Sequence, residues 1–323
     1  MTSGKTLGWS ASSVICLLLL AAGCAPSAKE AATVALKFAE EDSTTYKLTT
    51  QMEDGIKFEG SLSDDPNFEN RANSRTIEMT FTQQIQSINN QGNAIAKITI
   101  DSLKYLAIQQ NRTVQDFDSS REEDKANPLA KLIGQSYTIE VSPMGEVVKV
   151  SDVQQARAAV QGARPANMAA SKLLSEDEIK QRHRAFDLPS ADKNNLRIGD
   201  HWSSIKTFDF GKMGSKAYEK IYTLKEVKDA ENRRLAVVEM STIPSSETAG
   251  LENQITNVFA KMFDNIGTYT GCLKLDLTTG KVEEYLEKLQ SEWIAVDPEA
   301  KGDREPDAVR MSVIRSYKLE KID

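Results

Sequence analysis

Apolar and polar residues alternate with a period of two along most of the chain from residue 33 onward. This pattern is typical of half-buried β-strands, because successive side chains of a strand point to opposite faces of the sheet. The pattern is clearest in Thr76–Ile88 and Ala94–Leu106, which are separated by Asn89–Asn93. Because Gly and Asn tolerate positive φ in that short segment, the sequence predicts a β-hairpin here.

Further strands follow from the same alternation. A second hairpin is predicted between Tyr137–Val141 and Val147–Val150, across a turn that contains a proline. Proline is acceptable there because the turn does not need its missing N–H. Two more strands are predicted at Val34–Phe38 and at Tyr46–Phe58, on either side of a polar turn.

Three helices are predicted to interrupt the strands. Ser151 and Ser175 each begin a capping box, in which the serine hydroxyl accepts the N3 amide, and they predict helices over 152–161 and 175–186. A third helix, over 248–264, carries a stripe of apolar residues at helical spacing. The stripe consists of Leu251, Ile255, Val258, Phe259, Met262 and Phe263. We interpret it as packing on a sheet, with a membrane or ligand contact as the alternative.

The chain also resembles itself. The strand–turn–strand unit Ile77–Leu106 matches Ala217–Ile243, and Tyr137–Val150 matches Cys272–Tyr285. Insertions and deletions separate the two copies, so they share no strict period. These matches indicate two related β-rich halves, and chance similarity between two meanders is the alternative.

The predicted fold class is α+β, dominated by antiparallel strands. Two related meander halves, 33–151 and 196–323, are joined by a helical connector over 152–195. We expect them to form a curved sheet or half-barrel, as one large sheet or two abutting ones. The few helices should cover part of its concave face.

Residues 1–23 are similar to a secretory signal peptide, because a single lysine precedes an uncharged run too short to span a bilayer as a helix. The segment Leu20–Cys24 resembles the bacterial lipobox. That resemblance implies cleavage between Gly23 and Cys24, acylation of the Cys24 thiol with chains such as palmitate, and a lipidated tether over 24–32. An ordinary signal peptide with an incidental Cys24 is the alternative. Ala25, in place of an aspartate, slightly favours the outer membrane.

The remaining cysteine and the histidines point to structure rather than catalysis. Cys272 lies in an alternating segment and is predicted to be a buried structural thiol, since a nucleophilic cysteine needs an electropositive or histidine-bearing setting. The chain has two histidines, His183 and His201. Each is predicted to be satisfied or solvent-facing. We therefore predict no catalytic residue.

Composition and motifs exclude several classes of protein. A net charge of -7 and a pI near 5.2 argue against nucleic-acid binding. Zinc motifs, a nucleophile elbow, a P-loop and a dinucleotide fingerprint do not occur in the sequence, so no metal or cofactor is predicted. Ser190–Lys193 has the spacing of serine acyltransferases but lacks their companion motifs. Asp116–Asn127 begins like a calcium loop, yet Arg121 replaces its glycine, and we interpret it, like Asp297–Asp307, as an exposed loop.

Four segments carry a family resemblance. In order, they are Val34–Phe38, Tyr137–Val150, Leu196–Trp202 and the hairpin Tyr222–Glu239. They resemble a family of uncharacterised bacterial envelope lipoproteins, the domain of unknown function 6263, over most of residues 33–320. The resemblance implies an exported β-rich domain with no established activity, and it transfers no catalytic residue.

These observations predict a non-enzymatic lipoprotein of the bacterial envelope, anchored by Cys24 and facing the periplasm. It should bind an apolar ligand or an envelope protein partner on its concave face, and no ligand-binding residue is predicted. A hydrolase built on acidic residues is one alternative, and a deep pocket with two carboxylates of different pKa would favour it. A structural or assembly role is the other alternative.

Overall fold

The computed structural model describes residues 31–160, 164–184, 187–210, 213–230, 232–244, 264–296 and 306–322. Over these residues the chain forms one 12-stranded sheet, in which neighbouring strands pair antiparallel, and a separate two-stranded ladder. The large sheet is curved and does not close into a barrel. The predicted α+β class with mainly antiparallel strands is therefore confirmed.

The strands are β1 (Ala32–Thr33), β2 (Ser43–Glu59), β3 (Arg71–Ile88), β4 (Ala94–Gln109), β5 (Arg112–Asp118), β6 (Ser136–Val141), β7 (Val147–Ser151), β8 (Asn195–Leu196), β9 (His201–Asp209), β10 (Ser215–Ala230), β11 (Arg233–Pro244), β12 (Asp264–Asp276), β13 (Lys281–Val296) and β14 (Ala308–Lys321). The helices are α1 (Val153–Ala159), α2 (Arg164–Leu173) and α3 (Glu176–His183).

The large sheet runs in the order β7-β6-β4-β3-β2-β14-β13-β12-β11-β10-β9, with β5 and β6 sharing one edge of β4. Most neighbours along this path are also neighbours in the sequence. The main exception is β2 with β14, which pair from Tyr46 opposite Lys321 to Glu59 opposite Ala308. This pairing joins the strands before the helices to the strands after them.

Alternation along each strand separates an inner, concave face from an outer one. The inner face carries the apolar core, for example Leu48 of β2, Met79 of β3 and Leu273 of β12, all 1% exposed or less. The helices α2 and α3 contribute Leu173 and Ile179, which are buried in the same hydrophobic cluster. Burial of these side chains is the main force that holds the helices on the sheet.

The predicted hairpins are confirmed. Ile88 is paired with Ala94 across the Asn/Gly turn, and β6 is paired with β7 as expected. The hairpin of β10 and β11 and that of β12 and β13 also form where the sequence indicates them. Their origin as a repeated half stays a prediction.

The strand predicted at Val34–Phe38 is wrong. The segment forms no strand, and the chain bends at Ala35; three separate loops supply partners for its backbone. The N–H of Val34 donates to the carbonyl of Asn194 (2.8 Å), that of Leu36 to Pro143 (2.9 Å) and that of Lys37 to Gly280 (3.3 Å). Alternation predicts which residues are buried, and it does not predict the partner of the backbone.

The helix predictions are confirmed in part. Ser175 caps α3 as expected, its hydroxyl accepting from the N–H of Glu178 (3.3 Å). The capping box at Ser151 is wrong, because Ser151 ends β7 and the N-cap residue of α1 is Asp152, which has a φ of 60° and makes no side-chain capping hydrogen bond. α2 was not predicted, since its alanine-rich sequence has no capping box. The helix predicted over 248–264 lies outside the described residues up to 263, and residue 264 begins β12.

One of the two loop predictions is wrong in part. Asp116–Asn127 is partly ordered: β5 extends to Asp118, and a 3-10 turn covers Glu122–Ala126. The guanidinium of Arg121 lies 2.8 Å from a carboxylate oxygen of Asp116 and 2.6 Å from one of Asp124, so a cation of the protein itself occupies this acidic loop. Residues 297–305 of the other predicted loop lie outside the described residues.

Among the described residues, the helices are all too short or too polar to cross a membrane.

Gly280 provides a test of the contact between the segment Val34–Phe38 and the β12–β13 turn. Its φ is +70°, and a Cβ at this position would lie 2.2 Å from the backbone nitrogen of Lys37. We expect Gly280→Ala to lower the free energy of unfolding, measured in urea, by clearly more than the roughly 1–2 kcal/mol of left-handed strain alone. The matched control is Gly134→Ala, where φ is +80° and no atom lies within 4 Å of the added Cβ. Equal losses in the two variants would contradict the contact.

Candidate functional site

The inner face changes character along the strands. At one end, which we call the filled end, it carries buried apolar residues such as Leu48 and Leu319, which are paired across β2 and β14. Further along the same two strands and β3, Arg315 lies opposite Met52 and Met52 opposite Arg75. The core of the sheet therefore gives way to a charged region.

A cavity of about 370 Å³ occupies this charged region, and we call it the central cavity. Six cations line it: Arg75, Arg182, Arg184, Lys206, Lys220 and Arg315. Three carboxylates line it as well: Glu178, Asp209 and Glu287. Although the whole chain carries a net charge of -7, the lining of this cavity has an excess of positive charge.

Lys220 and Asp187 form the ionic centre next to the cavity. Lys220 is 2% exposed, and its Nζ lies 3.0 Å from Oδ2 of Asp187. The same oxygen accepts from the hydroxyls of Ser204 (2.6 Å) and Tyr222 (2.9 Å), and Oδ1 accepts from Arg184. Burial alone would raise the pKa of Asp187, but the charge of Lys220 and these hydrogen bonds outweigh it and hold the pKa well below its usual range.

Glu287 lies on the other side of the same ammonium group. Its Oε1 is 4.0 Å from Nζ of Lys220, and its Oε2 accepts from the hydroxyl of Tyr285. Burial raises the pKa of Glu287 despite the nearby charges of Lys220 and Lys206. Burial also lowers the pKa of the Lys206 ammonium. Asp187 and Glu287 are therefore two carboxylates with opposite pKa shifts.

Three of the lining cations have no ion-pair partner in the described part of the chain. Within the described residues, Arg182, Lys206 and Arg315 form no salt bridge of 4 Å or less. Arg182 donates instead to the hydroxyl of Tyr137 (3.2 Å), and Arg315 donates to the backbone carbonyl of Asp209 (3.2 Å). The positive charge around the central cavity is thus only partly neutralised by the protein.

The cavity also receives buried donors that lack an acceptor. In the part of the chain that the structure describes, Nη1 of Arg75, the hydroxyl of Tyr269 and Nε of Arg315 are buried and have no hydrogen-bond partner. All three residues line the central cavity. An unmet buried donor costs about 1–3 kcal/mol, so an acceptor placed in the cavity would be stabilised by these groups.

A second cavity of about 370 Å³ lies further along the inner face, and we call it the aromatic cavity. Its apolar lining consists of Ile56, Phe210, Met213, Trp293, Met311 and Val313. The ring centroids of Phe210 and Trp293 are 4.9 Å apart in an edge-to-face arrangement. Polar and charged residues, including Arg71, also line this cavity.

Arg315 lies between the two cavities. The carbon of its guanidinium group is 5.5 Å from the ring centroid of Phe208, which lines the central cavity. It is also 5.5 Å from the ring of Phe210, which lines the aromatic cavity. Because a guanidinium stacks well on aromatic faces, these contacts fix the side chain at the boundary.

The histidines lie apart from any such chemistry. His183 ends α3, where its Nε2 is 2.6 Å from the Tyr137 hydroxyl and its ring packs edge-on against Phe81. Burial and the neighbouring Arg182 lower the pKa of His183 well below its usual value, so the ring is neutral at pH 7. His201 is exposed at the start of β9.

The other predicted residues are also outside the two cavities. Cys272, predicted to be a buried structural thiol, is half-buried on the outer face, because Leu273 takes the adjacent inner position. Ser190 and Lys193 lie in an exposed turn. The proposed lipidation site at Cys24 lies outside the described residues.

The residues that line the central cavity were missed in the sequence. A signal was present, because Lys220 stands between Tyr218 and Tyr222 at an inner position of β10, and Arg315 stands between Val313 and Tyr317 in β14. A cation at an inward-facing position of an amphipathic strand is unusual unless it pairs with an anion of the protein or binds a ligand. The sequence did not show that such cations from five elements converge.

Together these features define a β-rich protein whose curved sheet encloses a charged cavity beside an aromatic one. Residues 91–282, more than half of the chain, match the family of unknown function DUF6263, and the chain belongs to that family.

A search of the curated proteins finds no match. Among solved structures, a chain of lipovitellin from a study of its lipid–protein interactions is similar at a TM-score of 0.44 and 12% identity. That similarity covers 89% of this chain and 26% of the lipovitellin chain, so the protein spans about a quarter of that relative. Similarity of this extent does not establish a shared ligand.

The ionic centre makes a testable prediction about stability and pH. Asp187→Asn leaves Lys220 buried beside a neutral amide, which should cost about 3 kcal/mol of unfolding free energy at pH 7. Since the pKa of Asp187 is lowered by folding, its contribution is complete above the unfolded value near 3.9 and declines as the pH falls below it. The difference between wild type and variant should therefore shrink from pH 7 to pH 3 in urea titrations.

The control is Asp192→Asn in the exposed turn after residue 190, which should change the unfolding free energy by less than about 0.5 kcal/mol. A gap between wild type and Asp187→Asn that stays constant with pH would contradict the assignment.

Proposed function

We propose that this protein is a lipid-anchored protein of the bacterial envelope that binds a small molecule on the inner face of its sheet and catalyses no reaction. The observation that carries this proposal is the lining of the central cavity, where, among the described residues, three cations have no ion-pair partner and three buried donors have no acceptor. Groups of this kind stabilise an acceptor-bearing ligand, and a fold selected only for stability has no use for them.

The cavity lining refines the expectation of an apolar ligand. A wholly apolar molecule in the central cavity would displace water from Lys206 and Arg315 and offer them nothing in return, which costs free energy. The ligand should therefore present an anionic or strongly accepting group to this cavity.

A hydrolase built on acidic residues has one observation in its favour, the opposite pKa shifts of Asp187 and Glu287. Catalysis by a carboxylate pair, however, needs both groups free to exchange protons with a substrate. Both oxygens of Asp187 already accept hydrogen bonds, from Lys220 and Arg184 among others. Of these two carboxylates, Glu287 lines the central cavity and Asp187 does not, which supports binding over hydrolysis.

A structural or assembly role, with an envelope protein as partner, is the other candidate. A structural role is compatible with an open cavity. It gives no reason, however, for cations that lack ion-pair partners among the described residues to surround a cavity of about 370 Å³. The central cavity therefore favours a ligand over a purely structural role.

The anchor rests on the lipobox-like segment Leu20–Cys24. A diacylglycerol on Cys24 would supply at least two acyl chains, and two chains give stable attachment where one does not. Residues 24–32 would then link the membrane to the sheet, with the domain facing the periplasm and the outer membrane slightly favoured.

The anchor is tested by Cys24→Ser in a bacterial host. We expect labelled palmitate to be incorporated into the wild type and not into the variant, and the variant to leave the membrane fraction. Cys272→Ser, which removes the half-buried thiol of the outer face, is the control and should keep its label. A Cys24→Ser protein that is still labelled would overturn the proposal.

Ligand binding is tested by native mass spectrometry of the full chain purified from host membranes in mild detergent. We expect a non-covalent adduct of defined mass that disappears on denaturation and is recovered in a solvent extract. The adduct should be reduced at least tenfold in Arg315→Gln and retained in Arg112→Gln, which changes an exposed arginine of β5. Repeated isolation of empty protein would count against the proposal.

A further inference from the structure

We infer that the ligand is an acidic amphiphile with a single apolar chain, whose carboxylate or phosphate binds in the central cavity beside Arg315 and whose chain lies in the aromatic cavity. This inference rests on the proposed function and specifies its ligand class. It requires the two cavities to act as one site with two chemically different parts.

The buried hydrogen-bond donors of the central cavity indicate that the head group of the ligand is anionic. Among the described residues, Nε of Arg315 and Nη1 of Arg75 are buried and have no hydrogen-bond partner, and Lys206 is a nearby ammonium without an ion pair. Guanidinium groups match the planar carboxylate and the phosphate better than any neutral group, because their N–H donors are charged and lie in one plane. The hydroxyl of Tyr269 adds a neutral donor to the same cavity.

The chain half follows from the lining of the aromatic cavity. Trp293 is 3% exposed and packs against Phe210, while Met213 and Met311 add flexible apolar surface that adapts to a chain. Burial of one methylene strengthens binding about fourfold. An apolar chain in this cavity should therefore make affinity depend steeply on its length.

The geometry joins the two halves. Arg315, Val313 and Met311 occupy successive inner positions of β14, and the last of them lines the aromatic cavity. Four residues of a strand cover about 13 Å, which is a distance that a single extended chain can span. Arg315 stacks on both Phe208 and Phe210. Its guanidinium would bind the head group in the central cavity, and Phe210 would contact the apolar chain in the aromatic cavity.

A free anion and an amphiphile share the same head-group chemistry, so the experiment must separate them. Four probes do this: hexadecanoate, hexadecanol, octanoate and inorganic phosphate. They are titrated into delipidated full-length protein in the same mild detergent, and binding is measured by competition with a fluorescent fatty acid. We expect hexadecanoate to bind at least tenfold more tightly than each of the other three.

Variants assign the two halves to residues. Arg315→Gln should weaken hexadecanoate at least tenfold and leave hexadecanol unchanged, while Arg112→Gln on exposed β5 should change neither. Trp293→Ala should reduce the ratio between hexadecanoate and octanoate severalfold. Its control is Ile205→Ala, which removes a half-exposed side chain from the outer face of β9.

Trp293 also reports the position of the chain without a loss of structure. Trp202, at the filled end, stacks on Tyr222, so it should be insensitive to a ligand in the aromatic cavity. A dibrominated stearate quenches tryptophan on contact. We expect it to quench Trp293 strongly and Trp202 little, as measured in Trp202→Phe and Trp293→Phe proteins that also carry Trp9→Phe.

The outcomes separate this inference from the proposed function. The inference of an acidic amphiphile is wrong if hexadecanol or phosphate binds as tightly as hexadecanoate, or if Trp293 is not quenched. The same holds if the native adduct is seen by mass spectrometry but none of the probes displaces it, and the proposed function then stands with another ligand. Protein that is isolated empty and also binds none of the four probes overturns both.

Discussion

The pairing of β2 with β14 is the constraint on which the rest of the structure depends. It joins the first long strand to the last one, and it makes one sheet out of the strands before the helices and the strands after them. The row Arg75, Met52 and Arg315 crosses this junction. Without the pairing, two of the cations of the central cavity would lie in separate sheets and the cavity would not exist.

Local pattern predicted most of the strands and little of their long-range order. Alternation and turn chemistry specified the hairpin around Asn89–Asn93, because both signals lie within a few residues of each other. In contrast, no local feature relates Tyr46–Glu59 to the last strand, some 250 residues away. The choice between one large sheet and two abutting ones depends on this pairing, so the sequence left it open. Val34–Phe38 shows the same limit on a smaller scale, since its buried face was evident and its three loop partners were not.

The candidate site was predicted less well, for a related reason. Charged residues in amphipathic strands are normally solvated, so Lys220 and Arg315 carry no special meaning one at a time. They become informative only when the curved sheet brings them together with Arg182 of α3. Asp187 was missed because it lies in the segment that follows α3, where its role depends on Lys220 of β10. Sites assembled from several elements are visible in the fold and not in a motif.

The cations of the central cavity fall into two groups that have different consequences. Lys220 and Arg184 both contact the carboxylate of Asp187, and these ion pairs stabilise the folded chain. Lys206 and Arg315 have no carboxylate within ion-pair distance among the described residues, so only aromatic rings and, for Arg315, the backbone carbonyl of Asp209 compensate for their partial burial. The ion pairs of Lys220 and Arg184 fix one side of the central cavity. A ligand can therefore bind Lys206 and Arg315 without rearranging that side. The unpaired charge that lowers the stability of the empty protein is then also the source of its affinity for an acidic molecule.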